Sequence, residues 1–130
     1  MKQNPAPTFS WKKRARSFVY AFRGMAYVLR TQHNAWIHLF FTLLVLGFGF
    51  FFWVSPIEWA LLALAIGSVW AAEAFNTALE ALVDLVSPQY HRQAEIAKDA
   101  ASGAVLWLAL SAAAVGFCIF LPKIWAWLWG

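Results

Sequence analysis

Apolar and polar positions divide the chain into one mixed segment and three long apolar runs. From Trp11 to Arg30 the order is WKKRARSFVYAFRGMAYVLR. Phe18, Ala21, Phe22, Met25, Val28 and Leu29 recur at the spacing of one helix face. Lys12, Lys13, Arg14, Arg16, Arg23 and Arg30 supply the opposing character. The segment is too charged to cross a bilayer. It suits a helix lying at the membrane interface, with basic stems on apolar surface and heads in water. Ala35 to Val54 then reads AWIHLFFTLLVLGFGFFFWV, just long enough to span hydrocarbon. Ser55-Pro56 is a turn, and Pro56 suits the first turn of a new helix. Ile57 to Val86 is one long helical candidate, lipid-like at first and acidic later. Pro88 ends it, and Ser87 to Glu95 forms a polar connection. Ile96 opens a third helix, dense in Ala, Gly and Ser, which Pro122 is expected to stop.

The pattern predicts an all-α membrane protein, with an N-terminal amphipathic surface helix followed by three transmembrane helices. The expected divisions are a flexible tail over 1–10, the surface helix over 11–33, the three-span domain over 34–121 and an interfacial tail over 122–130. That last stretch, with KIWAWLWG, has the composition of an aromatic belt. Thr31 to Asn34 is a polar joint in which Thr31 or Asn34 is the candidate cap. Gly47 and Gly49 either permit close helix packing or mean only a looser helix.

Composition fixes the membrane class. The 130 residues are 62% hydrophobic and 12% charged, with nine Trp and twelve Phe. A soluble domain of this size has too little interior to bury them, which argues against a soluble helical bundle. The net charge of +4 does not point to nucleic acid, because the basic residues sit beside hydrophobic spans and suit an anionic membrane surface. Of ten Lys and Arg residues, only Lys123 falls outside the N-terminal region and the connection between the second and third spans. The positive-inside rule places the N-terminus and that connection in the cytoplasm, and the Ser55 turn and C-terminus outside. Cys118 is the only cysteine, so no disulfide forms within the chain. No cleaved signal peptide is expected.

Five of the six acids, Glu73, Glu80, Asp84, Glu95 and Asp99, lie between Glu73 and Asp99. Glu73, Asn76, Glu80 and Asp84 share one helix face. Two such carboxylates can hold a hard cation such as Mg²⁺, with Asn as a neutral oxygen ligand, or one can serve as a general base. The structural alternative is a polar seam between packed helices or a solvated helix end. Acids within a membrane segment favour function. Glu58, the sixth, is expected to face water or the helix dipole, and Asp99 to lie at the positive start of the third span. His38 is a candidate ligand or head-group donor, or a partner of a neighbouring helix; both readings stay open. The acidic face, the polar connection, Lys98 and the surface helix converge at the cytoplasmic interface. There Mg²⁺ and a lysine can neutralise phosphate charge while a carboxylate accepts a proton from a lipid hydroxyl. No GxxxxGK(S/T) loop or soluble-kinase signature is present. A transporter would need a polar path that the spans lack.

These runs resemble the small prokaryotic diacylglycerol kinase family, which includes undecaprenol kinases. The matching residues are SFVYAFRGM at Ser17 to Met25, NAWIH at Asn34 to His38, EAFNTALEALVDLV at Glu73 to Val86, His91, and AKDAASGAV at Ala97 to Val105. The resemblance covers roughly Phe18 to Phe120. It implies a homotrimer of three-span chains in the bacterial plasma (inner) membrane. Sites between subunits would transfer the γ-phosphate of ATP to a lipid hydroxyl with Mg²⁺. By motif, Glu73 resembles the catalytic base, Asn76 supports it, and Glu80 resembles a metal-binding carboxylate. Asp84, Lys98 and Asp99 resemble residues around the nucleotide, with Lys98 on phosphate. Lys13, Tyr20, Gln89 and His91 match positions near the nucleotide or the surface-helix contacts, and Gly24 matches a surface-helix glycine.

One position departs from the pattern. The second metal-binding Glu of the family, eight residues after that glycine, is Gln32 here. Gln offers an oxygen without charge and holds Mg²⁺ more weakly. Two functions follow as expectations: a Mg²⁺-dependent lipid kinase using ATP, or a weakly active or non-catalytic membrane protein that binds nucleotide and lipid. The run Asn34 to His38 looks more like the undecaprenol branch than the diacylglycerol branch.

Overall fold

A computed structural model describes residues 9–130. Its elements are four α-helices: α1 (Trp11–Thr31), α2 (His33–Phe51), α3 (Pro56–Val86) and α4 (Arg92–Trp129). Three of them, α2, α3 and α4, are long and apolar enough to cross a membrane. The expected tail over 1–10 lies outside the described residues except for Phe9 and Ser10. The Phe9 ring meets Trp11 edge to face at 5.1 Å.

α1 and α2 are separated by a single residue. Gln32 adopts extended backbone angles, donates its N–H to Val28 O at 2.9 Å, and accepts from Ala35 N–H at 3.2 Å. Neither Thr31 nor Asn34 is the cap. The Thr31 hydroxyl turns back to Tyr27 O instead, at 2.9 Å, which removes it from the joint. Val28 is the one buried residue of α1, and both its basic and its aromatic side chains are exposed.

The turn into α3 is built as the sequence expects. Ser55 Oγ accepts from Glu58 N–H, and the Glu58 carboxylate accepts from Ser55 N–H, a reciprocal cap with Pro56 in the first turn. Glu58 thus lies at the positive helix end, and Lys123 Nζ reaches it across the turn at 3.1 Å.

α3 and α4 pack antiparallel. Leu62 near the start of α3 meets Ile119 and Phe120 near the end of α4, with Val54 completing a small core. α2 joins through Gly49, where a β-carbon would run into the Trp59 indole. Gly47 faces open space, so of the two glycines only Gly49 permits close packing. Elsewhere the helices expose apolar side chains, among them Phe75, Leu85 and Trp107.

α4 differs from expectation at both ends. It begins at Arg92 rather than Ile96, because His91 caps it by accepting from Gln93 N–H through Nδ1 at 3.2 Å. Glu95 therefore occupies the first turn, and Asp99 lies beyond the reach of the helix terminus. Nor does Pro122 stop the helix, which continues to Trp129. Proline removes one N–H from the ladder, at the Cys118 carbonyl, but α-helix is the favoured state of backbone surrounded by apolar surface. The Lys123–Glu58 pair and the Phe51–Trp127 ring contact, at 6.0 Å, tie the final turns to α2 and α3.

Candidate active site

The four polar residues on the acidic face of α3 differ in burial. Glu73 and Asn76 are buried, Glu80 is partly buried and Asp84 is exposed. Glu73 is 1% exposed, and neither of its carboxylate oxygens has a hydrogen-bond partner among the described residues. A carboxylate taken from water without donors is costly, which makes Glu73 the candidate functional group of this face. Thr77 does not relieve it, since its hydroxyl bonds the Glu73 backbone carbonyl at 2.8 Å. The polar atom facing Glu73 is His38 Nε2 from α2, 3.8 Å from Oε2 and also without a hydrogen bond among the described residues. That separation is too long for a direct hydrogen bond and short enough for one bridging oxygen.

Glu80 has the opposite surroundings. Its Oε1 accepts from Asn76 Nδ2 at 3.0 Å and its Oε2 from Gln32 Nε2 at 3.3 Å. The joint between α1 and α2 is thereby tied to the acidic face. Further along the helix, Asp84 Oδ1 pairs with Lys98 Nζ of α4 at 2.5 Å. Beside that pair lies a cavity of about 320 Å³ lined by Asp84, Gln89, His91, Lys98 and Asp99 together with Tyr90 and Glu95. Tyr90 Oη donates to Glu95 at 2.9 Å, which fixes the cavity edge.

A second cavity, about 390 Å³, runs between α2, α3 and α4. Its polar side chains gather at one end. There Trp70 Nε1 donates to Thr42 Oγ1 at 3.1 Å, and Thr42 donates to His38 O at 2.7 Å. His38 lines this cleft and faces Glu73, so it connects the apolar space to the buried carboxylate.

Residues 19–120 match the family described as Prokaryotic diacylglycerol kinase. The chain belongs to that family. Its enzyme class is therefore that of a lipid kinase. The undecaprenol kinase of Bacillus subtilis (strain 168) is 42% identical over 109 residues, covering 84% of this chain and 89% of that protein. The diacylglycerol kinase of Synechocystis sp. is 44% identical over 109 residues, covering 83% of this chain and 62% of that protein. The diacylglycerol kinase of Escherichia coli (strain K12) is 31% identical over 120 residues, covering 89% and 85%.

In this kinase the fold brings Gln32, Asn76 and Glu80 into one hydrogen-bonded cluster, with Glu73, on the same helix as Glu80, facing His38, and Asp84, Gln89, His91, Lys98 and Asp99 into the adjoining cavity. Lys13 and Tyr20 line neither cavity; both are exposed on α1, and Tyr20 carries the Arg23 guanidinium 6.0 Å from its ring centre. Thr42 and Trp70 were not among the expected site residues. The signal for them was present: Thr42 is one helical turn from His38, and Trp70 is three residues before Glu73.

Among the described residues no three His, Cys, Asp or Glu side chains converge as a metal cluster. Mg²⁺ does not require one, because it binds through one or two carboxylates and completes its shell with substrate phosphates and water. The donors here are oxygens of Glu73, Glu80, Asn76 and Gln32. The Glu73 oxygens and Asn76 Oδ1 have no partner among the described residues. Oxygen donors of this kind are the chemical type that suits a hard cation.

Proposed function

We propose that the protein transfers the γ-phosphate of ATP to the hydroxyl of a membrane lipid alcohol in a Mg²⁺-dependent reaction. The observation that carries this reading is the position of Glu73, buried and without a hydrogen-bond partner among the described residues, between the polar end of an apolar cleft and Glu80. The cleft admits a lipid chain from the bilayer. The Asp84–Lys98 cavity admits a nucleotide from water, with Gln89, His91 and Asp99 around it and Lys98 turned from Asp84 to phosphate.

Glu73 accepts the proton of the alcohol. The alcohol oxygen forms a bond to the γ-phosphorus, the bond to the bridging oxygen breaks, and ADP leaves with the electron pair. Asn76 holds Glu80 in place and keeps the carboxylate face ordered. Glu80 would hold Mg²⁺ with the nucleotide, and Gln32 is a weaker, uncharged neighbour at that position. Bound there, the cation supplies positive charge against the phosphate oxygens.

The cleft, polar at its His38–Thr42–Trp70 end and apolar beyond, suits an alcohol whose hydroxyl stands at that end and whose chain is hydrocarbon. The run Asn34 to His38 favours a prenyl alcohol over diacylglycerol. The assembly is a homotrimer in the bacterial plasma membrane, with the exposed apolar faces of α2, α3 and α4 covered by lipid and by other copies. The N-terminus and site face the cytoplasm and the C-terminus faces outside. α1 lies on the cytoplasmic surface, its cations toward lipid phosphates.

Purified protein in mixed micelles, given γ-labelled ATP and separate lipid alcohols, tests the reading. Transfer to a polyprenyl alcohol in preference to diacylglycerol is expected. A neutral amide where a second carboxylate would strengthen the cation site favours the competing reading of a weakly active binding protein. Absence of transfer to every alcohol would decide for it.

A further inference from the structure

Glu80 is a half-buried carboxylate held by two neutral amides, and they come from different parts of the chain. Asn76 lies one turn away on the same helix, so its hydrogen bond is local. Gln32 lies 48 residues away and is the one residue between α1 and α2. Its side-chain N–H is therefore a long-range tie from that joint to the centre of the site. The orientation of the amide follows from charge: the alternative, with Oε1 facing the carboxylate, would set two acceptors against each other. Each amide N–H carries partial positive charge to one carboxylate oxygen, so Glu80 is stabilised without a cation.

We propose that Gln32 stands in for a cation at Glu80 in the nucleotide-free protein, as a neutral latch that keeps the α1–α2 joint on α3 whether or not metal is present. The proposal rests on reading Glu80 as the carboxylate that meets the metal–nucleotide complex. It goes beyond that reading by making the architecture of the resting site independent of metal. A carboxylate at position 32 would face Glu80 with like charge, and the joint would then depend on a cation to hold it.

The test uses the full chain in mild detergent, without nucleotide, and follows thermal unfolding in EDTA and in millimolar Mg²⁺. The wild-type midpoint is expected to be the same in both. Gln32→Glu is expected to melt roughly 5 °C or more below wild type in EDTA and to recover most of that loss in Mg²⁺. Gln32→Met, of similar length and without a donor, is expected to melt lower than wild type equally in both. A wild-type midpoint that rises in Mg²⁺ as much as that of Gln32→Glu would overturn the proposal. So would a Gln32→Glu midpoint indifferent to Mg²⁺, or a Gln32→Met midpoint equal to wild type. None of these readouts depends on turnover, so the latch can fail while the kinase reading stands, and the reverse.

Discussion

Glu73 and Glu80 share one face of α3 about two helical turns apart, yet among the described residues only the Glu80 carboxylate is hydrogen-bonded. The different roles proposed for them rest on that difference. A carboxylate fixed at both oxygens is a positioned charge, suited to holding a metal–nucleotide complex. A buried carboxylate whose oxygens have no donor among the described residues is open to a hydroxyl that reaches it.

Glu80→Gln should therefore act through the cation. Its turnover is expected to need a higher Mg²⁺ concentration than wild type and to recover in part when Mg²⁺ is raised, because the lost charge opposed the metal–phosphate complex. Gln32→Glu should shift the same titration the other way. Mg²⁺ titrations of turnover in both variants check this, and an unchanged Mg²⁺ dependence in either contradicts the assignment.

His38 is the polar neighbour of Glu73 from α2, at 3.8 Å. Removing it in His38→Ala should lower turnover about tenfold or more while nucleotide affinity is kept, since the nucleotide cavity does not include it. His38→Gln, which keeps an N–H donor, should retain more activity than His38→Ala. Equal activity in the two variants would show that hydrogen bonding by this residue is not what matters.

The joint of α2 with α3 makes a separate prediction about stability. Gly49→Ala places a methyl group into the Trp59 indole and should destabilise the protein by about 1–3 kcal/mol. Gly47→Ala meets open space and should be neutral, or stabilising by up to about 1 kcal/mol through helix propensity. Unfolding of the two variants side by side in detergent separates packing from propensity, and similar losses in both would count against the close contact.

Much of the fold was legible because local rules govern helices in apolar surroundings. The period of Phe18 to Leu29, the apolar runs and the Ser55-Pro56 cap each act within a few residues, and each element formed where they indicate. The helix boundaries that differ are those where a tertiary contact or a competing local bond prevails. Pro122 breaks a helix in water, but here the Lys123–Glu58 pair and the Trp127 ring hold the turns after it. His91 moves the start of α4 four residues earlier by supplying a cap that hydropathy does not reveal.

The acidic face of α3 was legible from spacing alone, because residues three and four apart on a helix must share a side. What spacing could not show is which acid is satisfied. That depends on Gln32, whose bond to Glu80 spans 48 residues, and on His38, which reaches Glu73 only once α2 has packed. Lys13 and Tyr20 came from resemblance, and within one chain they remain on the exposed surface of α1.

Glu73 is proposed as the base that prepares a lipid hydroxyl for phosphoryl transfer. The most direct measurement compares wild type with Glu73→Gln for nucleotide binding and for transfer of labelled phosphate from ATP to a polyprenyl alcohol, at low and at high Mg²⁺. The substitution keeps shape and an acceptor oxygen while removing the base. Nucleotide binding should survive, transfer should fall by roughly 10²-fold or more, and added Mg²⁺ should not restore it. Transfer within about tenfold of wild type, or recovery in high Mg²⁺ as for Glu80→Gln, would rule out Glu73 as the base.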